Sequence, residues 1–255
     1  MTHIYNDSFF NYIDHSARRS AQVLTALLFP LLRPASVVDM GCGRGIWLDA
    51  WQRAGADTIL GVDGDYVDPS TLAIAPTAFV PSDLTMPLET RRRFDLAQSL
   101  EVGEHLPATA AATLVDSLTR ASDRVLFSAA VVGQGGEHHI NERPLSYWQA
   151  LFKDRGYSAY DYLRPQLRHR RDVAPWYRYN TLLYLNDAGR AGVSADVLRR
   201  NVPPGHQVPN GGDVLWRLRC AVVSHLPRAT VTRIAQIRAT ALATRFRDRP
   251  GPDAA

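Results

Sequence analysis

Val37-Val38-Asp39-Met40-Gly41-Cys42-Gly43-Arg44-Gly45 is a short apolar strand that ends in an acid and then turns through glycine at every second position. Glycine at 41, 43 and 45 admits positive φ and removes the Cβ, so backbone amides can approach a bound ligand closely. The turn is built to hold a nucleotide-like cofactor. A dinucleotide fingerprint would read GxGxxG, with its third glycine at the place Ile46 takes here. The spacing is GxGxG, which favours a different cofactor class.

Working outward, Ile59-Leu60-Gly61-Val62-Asp63-Gly64 is a second apolar strand ending in an acid, 18 residues after Gly45. An acid there can accept hydrogen bonds from both ribose hydroxyls. A third strand, Ala78 to Leu84, ends in Asp83-Leu84, and a fourth begins at Phe94-Asp95 and runs into Ser99-Leu100-Glu101-Val102-Gly103-Glu104-His105. Ligands of open α/β sheets sit outside the carboxyl ends of the strands, so four such ends on one edge make a composite site.

From Ser16 to Leu185 the chain resembles class I S-adenosylmethionine-dependent methyltransferases. The resemblance implies a Rossmann-like, doubly wound, seven-stranded and mostly parallel α/β sheet with S-adenosyl-L-methionine as cofactor and S-adenosyl-L-homocysteine as product. It implies that Gly41, Gly43 and Gly45 wrap the methionine part while Asp39 holds its ammonium directly or through water. Asp63, followed by Gly64, matches the ribose acid, Asp83 with the Leu84 amide matches the adenine reader, and Ser99, Leu100 and Glu101 match the wall beside the methyl group. The later segment, Arg124 to Ala130 and then Gly133 to Pro144, is similar to bacterial methyltransferases of sugar, cell-surface glycan and natural-product pathways.

Three regions are expected. Residues 1–34 form an N-terminal lid, with aromatic Tyr5, Phe9, Phe10 and Tyr12 and a helix from His15 to Leu32, in which Arg18 or Arg19 could pair with the cofactor carboxylate. Residues 35–187 form the cofactor-binding domain. Helices are expected at 47–54, 108–120 and 146–155, a sixth strand at Ala159 to Leu163, and a seventh, antiparallel, at Tyr177 to Leu185. The connection from Pro165 to Trp176 lies on the ligand-facing edge. Residues 188–255 form a helical appendage in which a Pro- and Gly-rich linker, residues 203–212, precedes helical stretches at Asp213 to Leu226 and Val231 to Phe246. These helices are expected to pack on the core or to form a homodimer.

Composition bounds the alternatives. A 45% hydrophobic chain of 255 residues can build a real core, and its two cysteines, Cys42 and Cys220, suit a reducing cytoplasm. Arg18-Arg19 before an apolar run imitates a secretory signal, but Ala17, Ala21, Leu24, Leu28 and Leu31 fall at helical spacing with polar residues between, which argues for an amphipathic helix. No stretch reaches the length needed to span a bilayer. Of the net charge of +4, the last 68 residues carry +7, with 11 arginines against 4 aspartates, leaving −3 elsewhere. One lysine against 28 arginines reads as coding bias, so the basic tail makes no case for nucleic acid.

Methyl transfer from a sulfonium is an in-line displacement, so the protein must align acceptor and methyl and exclude water. A hydroxyl acceptor needs its proton removed, and a positioned histidine does this near neutral pH. His139 is the first candidate, with Asn141 as an orienting partner or substrate contact. His138 is the second, because neighbouring side chains of an extended loop point opposite ways. Glu101 could bind a substrate hydroxyl, whereas Glu104 and His105 are read as the start of the next helix, where an acid suits the positive end. Glu101, Glu104, Glu137, His138 and His139 could also ligate a divalent ion that binds vicinal hydroxyls, but no spacing is diagnostic and no metal is assigned.

The expected activity is methyl transfer to a hydroxyl of a small molecule, sugar, glycan or natural product. The fourth strand ends in Ser99-Leu100-Glu101 rather than in the Asn/Asp-Pro-Pro-aromatic element that grips a planar amine on nucleic acid. The alternative is a cofactor-binding protein that methylates nitrogen or carbon, or that performs a different reaction on a nucleotide or sugar.

Overall fold

The computed structural model describes the backbone of residues 7–203 and 205–247 and the side chains of 16–203 and 205–237. Tyr5 lies outside the described residues, as do the side chains of Phe9, Phe10, Tyr12, Arg238, Ala241, Leu242, Arg245 and Arg247.

Seven strands, β1 (Ser36–Met40), β2 (Thr58–Asp63), β3 (Phe79–Pro81), β4 (Leu96–Leu100), β5 (Arg124–Ser128), β6 (Ser158–Tyr160) and β7 (Leu182–Leu185), form one sheet in the order β3-β2-β1-β4-β5-β7-β6. β1 to β5 pair in parallel, and β7 runs antiparallel between β5 and β6. The order reverses between β1 and β4, which opens the crevice where ligands of such sheets bind.

Alternating side chains build two core layers, one on each face. Val37, Leu96, Leu126 and Leu183 pack with α1 (Asp7–Leu32) and α2 (Ile46–Ala54) through Leu24, Leu28, Leu48 and Trp51. Val38, Ala97, Val125, Phe127 and Tyr184 pack on the other face with α3 (Ala111–Ala121) and α4 (Leu145–Lys153), through Leu114, Leu118, Trp148 and Phe152. Phe152 stacks on Tyr184 with ring centroids 3.9 Å apart. Each such large apolar side chain contributes about 1.5–3 kcal/mol on burial, which makes the strand ends a rigid platform.

Three expectations are corrected. The seventh strand does not begin at Tyr177. Pro175 opens a short helix, α6 (Pro175–Asn180), because its fixed φ suits a first helical turn, and the strand starts only at Leu182. The sixth strand ends at Tyr160, and Leu163 instead starts α5 (Leu163–Leu167), burying Leu163 and Leu167 at helical spacing. Glu104 and His105 do not start a helix. His105 closes a turn on Val102 (N to O 2.9 Å), and Pro107 holds off the helical run until Ala108.

After the short α7 (Ala195–Leu198), α8 (Val214–Val223) is capped by Asp213, which accepts from the Trp216 amide at 2.8 Å, and α9 (Arg228–Arg247) packs against α1. The linker before α8 is tied down by the buried Arg164, which donates to the carbonyls of Pro209 (2.7 Å) and Tyr179 (3.2 Å). α8 buries Trp216 and Cys220 and leaves Leu215, Leu218 and Val222 exposed. Among the described residues, no helix is long and apolar enough to cross a membrane.

Candidate active site

Backbone and side-chain hydrogen bonds fasten the glycine turn. Gly41, Gly43 and Gly45 all have positive φ, at 90°, 52° and 78°. The Gly41 amide donates to the Val62 carbonyl (2.7 Å), and the Gly43 amide to Asp63 Oδ2 (2.7 Å). A Cβ added at Gly41 would lie 2.3 Å from Val102, so the turn also presses against the end of β4. Asp63 Oδ1 accepts from the Gly64 amide (2.7 Å) and the Tyr66 hydroxyl (2.5 Å). Burial raises the Asp63 carboxyl above its ordinary range, against these three hydrogen bonds.

Asp39 sits beneath the turn. Its Oδ2 accepts from Gln98 (2.8 Å), whose own oxygen accepts from the Trp51 indole (2.7 Å), while Oδ1 is buried with no partner. Burial first, and the Asp63 charge after it, push the carboxyl up to about 7 against the Gln98 bond. A buried carboxyl with one unpartnered oxygen suits a cationic ammonium held directly or through water, so the residues fit the amino-acid end of the expected cofactor.

A cavity of about 730 Å³ runs from this turn across the strand ends. Of the residues singled out from sequence, Gly41, Gly43, Asp63, Leu84, Leu100, Glu101, Glu104, His105, Glu137 and His139 line it. Asp39, Gly45, Gly64, Asp83, Ser99 and His138 are not among its lining residues. Asp83 is exposed and turned into a local bend, accepting from the amide and hydroxyl of Thr85 (2.9 and 2.7 Å), which leaves Leu84 to face the ligand space. Arg18 and Arg19 are half exposed and pair with Asp49 (3.9 Å) and Asp172 (3.1 Å) instead of reaching the cavity, whereas Ser16 and Ala17 of the same helix line it.

At the far end, the loop between β5 and α4 folds over the turn after β4. The amides of Ile140 and Asn141 both donate to the Glu104 carbonyl (2.9 and 3.0 Å). His139 is oriented by Glu142, not by Asn141: its Nδ1 lies 2.9 Å from Glu142 Oε1, and the Glu142 carboxylate also accepts from the amides of Gly133 and Gly135 (2.8 and 2.7 Å). Burial favours the neutral acid at Glu142, but the bonds from His139, Gly135 and Gly133 outweigh it and hold the carboxyl below its ordinary range. Asn141 instead donates to the Gly103 carbonyl (3.2 Å) and accepts from Arg143 (2.8 Å).

Glu101 has φ 58° at the end of β4, an uncommon conformation for a non-glycine residue. Its carboxylate accepts from Gln134 (2.7 Å) and, at longer range, from Asn180 (3.4 Å), and burial raises it despite these bonds. Glu104 is fully buried and raised well above its ordinary range, by burial first and by Glu101 second. His105 is held well below its ordinary range, by burial first and then by the neighbouring His139 and His138. Among the described residues, Glu104, His105 and His139 form the cluster that could hold a metal ion.

The cavity has walls that motif reading missed. Trp47, Tyr66 and Tyr177 line it, as do Trp216 and Arg219 of α8 and Val231 and Ile234 of α9. Ala174, Pro175 and Trp176 line it as well, and the length of the Pro165–Trp176 connection on the ligand-facing edge was the signal for them. For α8 and α9 there was none, since nothing local in a helix says which cavity it closes.

A family model described as a methyltransferase domain matches residues 12–176. No curated protein matches the chain in sequence. Among solved structures, the chain is similar in fold to Streptomyces venezuelae DesVI, at a TM-score of 0.53 and 13% identity, over 71% of this chain and 96% of that one. It is similar to an O-methyltransferase family protein from Burkholderia thailandensis at a TM-score of 0.52 and 13% identity, over 70% of this chain and 59% of that one. At such identities the likeness concerns the fold.

Proposed function

The chain belongs to the methyltransferase domain family, S-adenosylmethionine-dependent enzymes of the class I fold, and from that premise we propose that it methylates a hydroxyl of a small molecule, sugar, glycan or natural product in the cytosol. One observation carries the reading: a single cavity joins Gly41, Gly43 and Asp63 at one end to Glu101 and the Glu142-oriented His139 at the other. S-adenosylmethionine supplies an electrophilic methyl group on sulfur.

The protein's part is alignment and proton management. The Gly41–Gly45 turn and Asp39 take the amino-acid end, Asp63 the ribose, and Leu84 packs at the base. Glu142 accepts a hydrogen bond from the Nδ1–H of His139 and so leaves the other ring nitrogen to receive the proton of an acceptor hydroxyl. Glu101, held by Gln134, is placed to accept from a second hydroxyl of the acceptor. α8 and α9 line one side of the cavity, and its volume of about 730 Å³ is the support for a small acceptor.

The test is incubation with S-adenosylmethionine and a panel of hydroxylated acceptors, followed by mass spectrometry for one added methyl and for S-adenosylhomocysteine. His139→Ala should lower turnover at least about tenfold with nearly unchanged S-adenosylhomocysteine affinity. Tight cofactor binding with a methyl delivered to nitrogen or carbon would overturn the hydroxyl assignment.

A further inference from the structure

Glu104 is 0% exposed and lines the cavity, yet neither of its carboxylate oxygens has a hydrogen-bond partner. The amides of Glu104 itself and of Ala130 lie near enough to favour the anion but fall short of hydrogen-bond geometry. A buried carboxylate is stable when it is paired or coordinates a metal, and hydroxyl methylation by His139 alone gives this one no task.

Its neighbours supply the missing half of a coordination shell. One ligand atom each from Glu104, His105 and His139 lies within 4.8 Å of the other two. The two imidazoles meet edge to face, with centroids 4.8 Å apart and planes at 89°. Both rings are steered from behind: Glu142 lies on Nδ1 of His139, and the His138 backbone is hydrogen-bonded to the His105 ring. Metal-bound histidines have this outer layer, in which a carboxylate or carbonyl fixes the tautomer and frees the other nitrogen.

We propose that Glu104, His105 and His139 bind one divalent first-row transition cation at the acceptor end of the cavity, and that the acceptor hydroxyl completes its coordination. Two imidazoles and one carboxylate suit such a cation better than magnesium or calcium, which prefer oxygen alone. Three protein ligands leave positions open for substrate.

The inference rests on the methyl-transfer reading and changes the part His139 takes in it. In the loaded protein the free imidazole nitrogen holds the cation, and the acceptor O–H bound to that cation gives its proton to water. The oxygen lone pair then forms the C–O bond as the C–S bond breaks, and the bonding pair leaves with sulfur.

Chelator-treated protein is titrated with Co²⁺ and followed by calorimetry and by visible ligand-field absorption, with S-adenosylhomocysteine affinity measured alongside. The expected result is one site per chain, lost by at least about tenfold in Glu104→Gln and in His105→Ala, with S-adenosylhomocysteine affinity retained. A second readout is independent of turnover: Co²⁺ should raise the Tm of the wild type and not that of Glu104→Gln. Absence of saturable Co²⁺ binding, or binding that survives both substitutions, overturns the cation site while leaving methyl transfer standing. Loss of S-adenosylhomocysteine binding in the wild type would instead sink the methyl-transfer reading on which the site depends.

Discussion

The carboxylate of Asp63 and the amide of Gly43 are joined by a 2.7 Å hydrogen bond, so the acid that ends β2 also holds the glycine turn that follows β1. Two motifs 20 residues apart are therefore one structural unit. Asp63→Ala should weaken S-adenosylhomocysteine binding by about 1–3 kcal/mol, through lost ribose contacts and a loosened turn. Isothermal calorimetry measures this, and an unchanged affinity would remove Asp63 from the site.

If Asp39 takes the cofactor ammonium as proposed, cofactor binding should depend on pH. Burial and the Asp63 charge raise its folded-state pKa from 3.8 to about 7, so its proton contributes stability that is fully present below pH 3.8 and is lost as pH rises through about 7. The cofactor ammonium favours the carboxylate, so binding expels that proton. Affinity should therefore climb by up to about tenfold per pH unit towards pH 7 and level off above it. Calorimetry from pH 5.5 to 8.5 should show this slope in the wild type and its loss in Asp39→Asn; equal slopes in the two proteins would place the titration elsewhere.

Glu142→Gln keeps the volume of the side chain but removes the charge that orients His139 and receives the amides of Gly133 and Gly135. Turnover should fall by about 10–100-fold while cofactor affinity stays within about twofold. Wild-type kcat in this variant would show that His139 needs no carboxylate behind it.

Gly133 tests how α8 closes the site. Its φ is 77°, and a Cβ there would lie 2.0 Å from the Cys220 carbonyl, which is backbone and cannot rotate away. Gly133→Ala should cost about 1–3 kcal/mol, a Tm drop of several degrees. Because α8 carries Trp216 and Arg219 into the cavity, KM for the acceptor should rise more than the cofactor Kd. An unaltered Tm would mean that the loop and α8 are not held this close.

Legibility in the sequence followed the range of the interactions involved. The glycine turn, the acids ending β1 and β2, and the apolar strands are local features whose spacing alone states their geometry, and the sheet appears where those strands predict it. Asn141 was a reasonable partner for His139 because it is two residues away, yet the loop turns so that Glu142 takes that place. Glu104 and His105 looked like the start of a helix because an acid suits a helix N-terminus. Pro107 delays that helix, and the turn sends both side chains inward.

The sequence by itself determined the sheet and its glycine turn, because a backbone cradle and strand-end acids depend on near neighbours and on a β-α-β order that admits few topologies. Only the tertiary structure decided the acceptor half. Glu104, His105 and His139 converge through the 136–142 loop, and α8 and α9 return from the far end of the chain to line the same cavity, since packing between distant segments follows from burying whole surfaces and leaves no local signature.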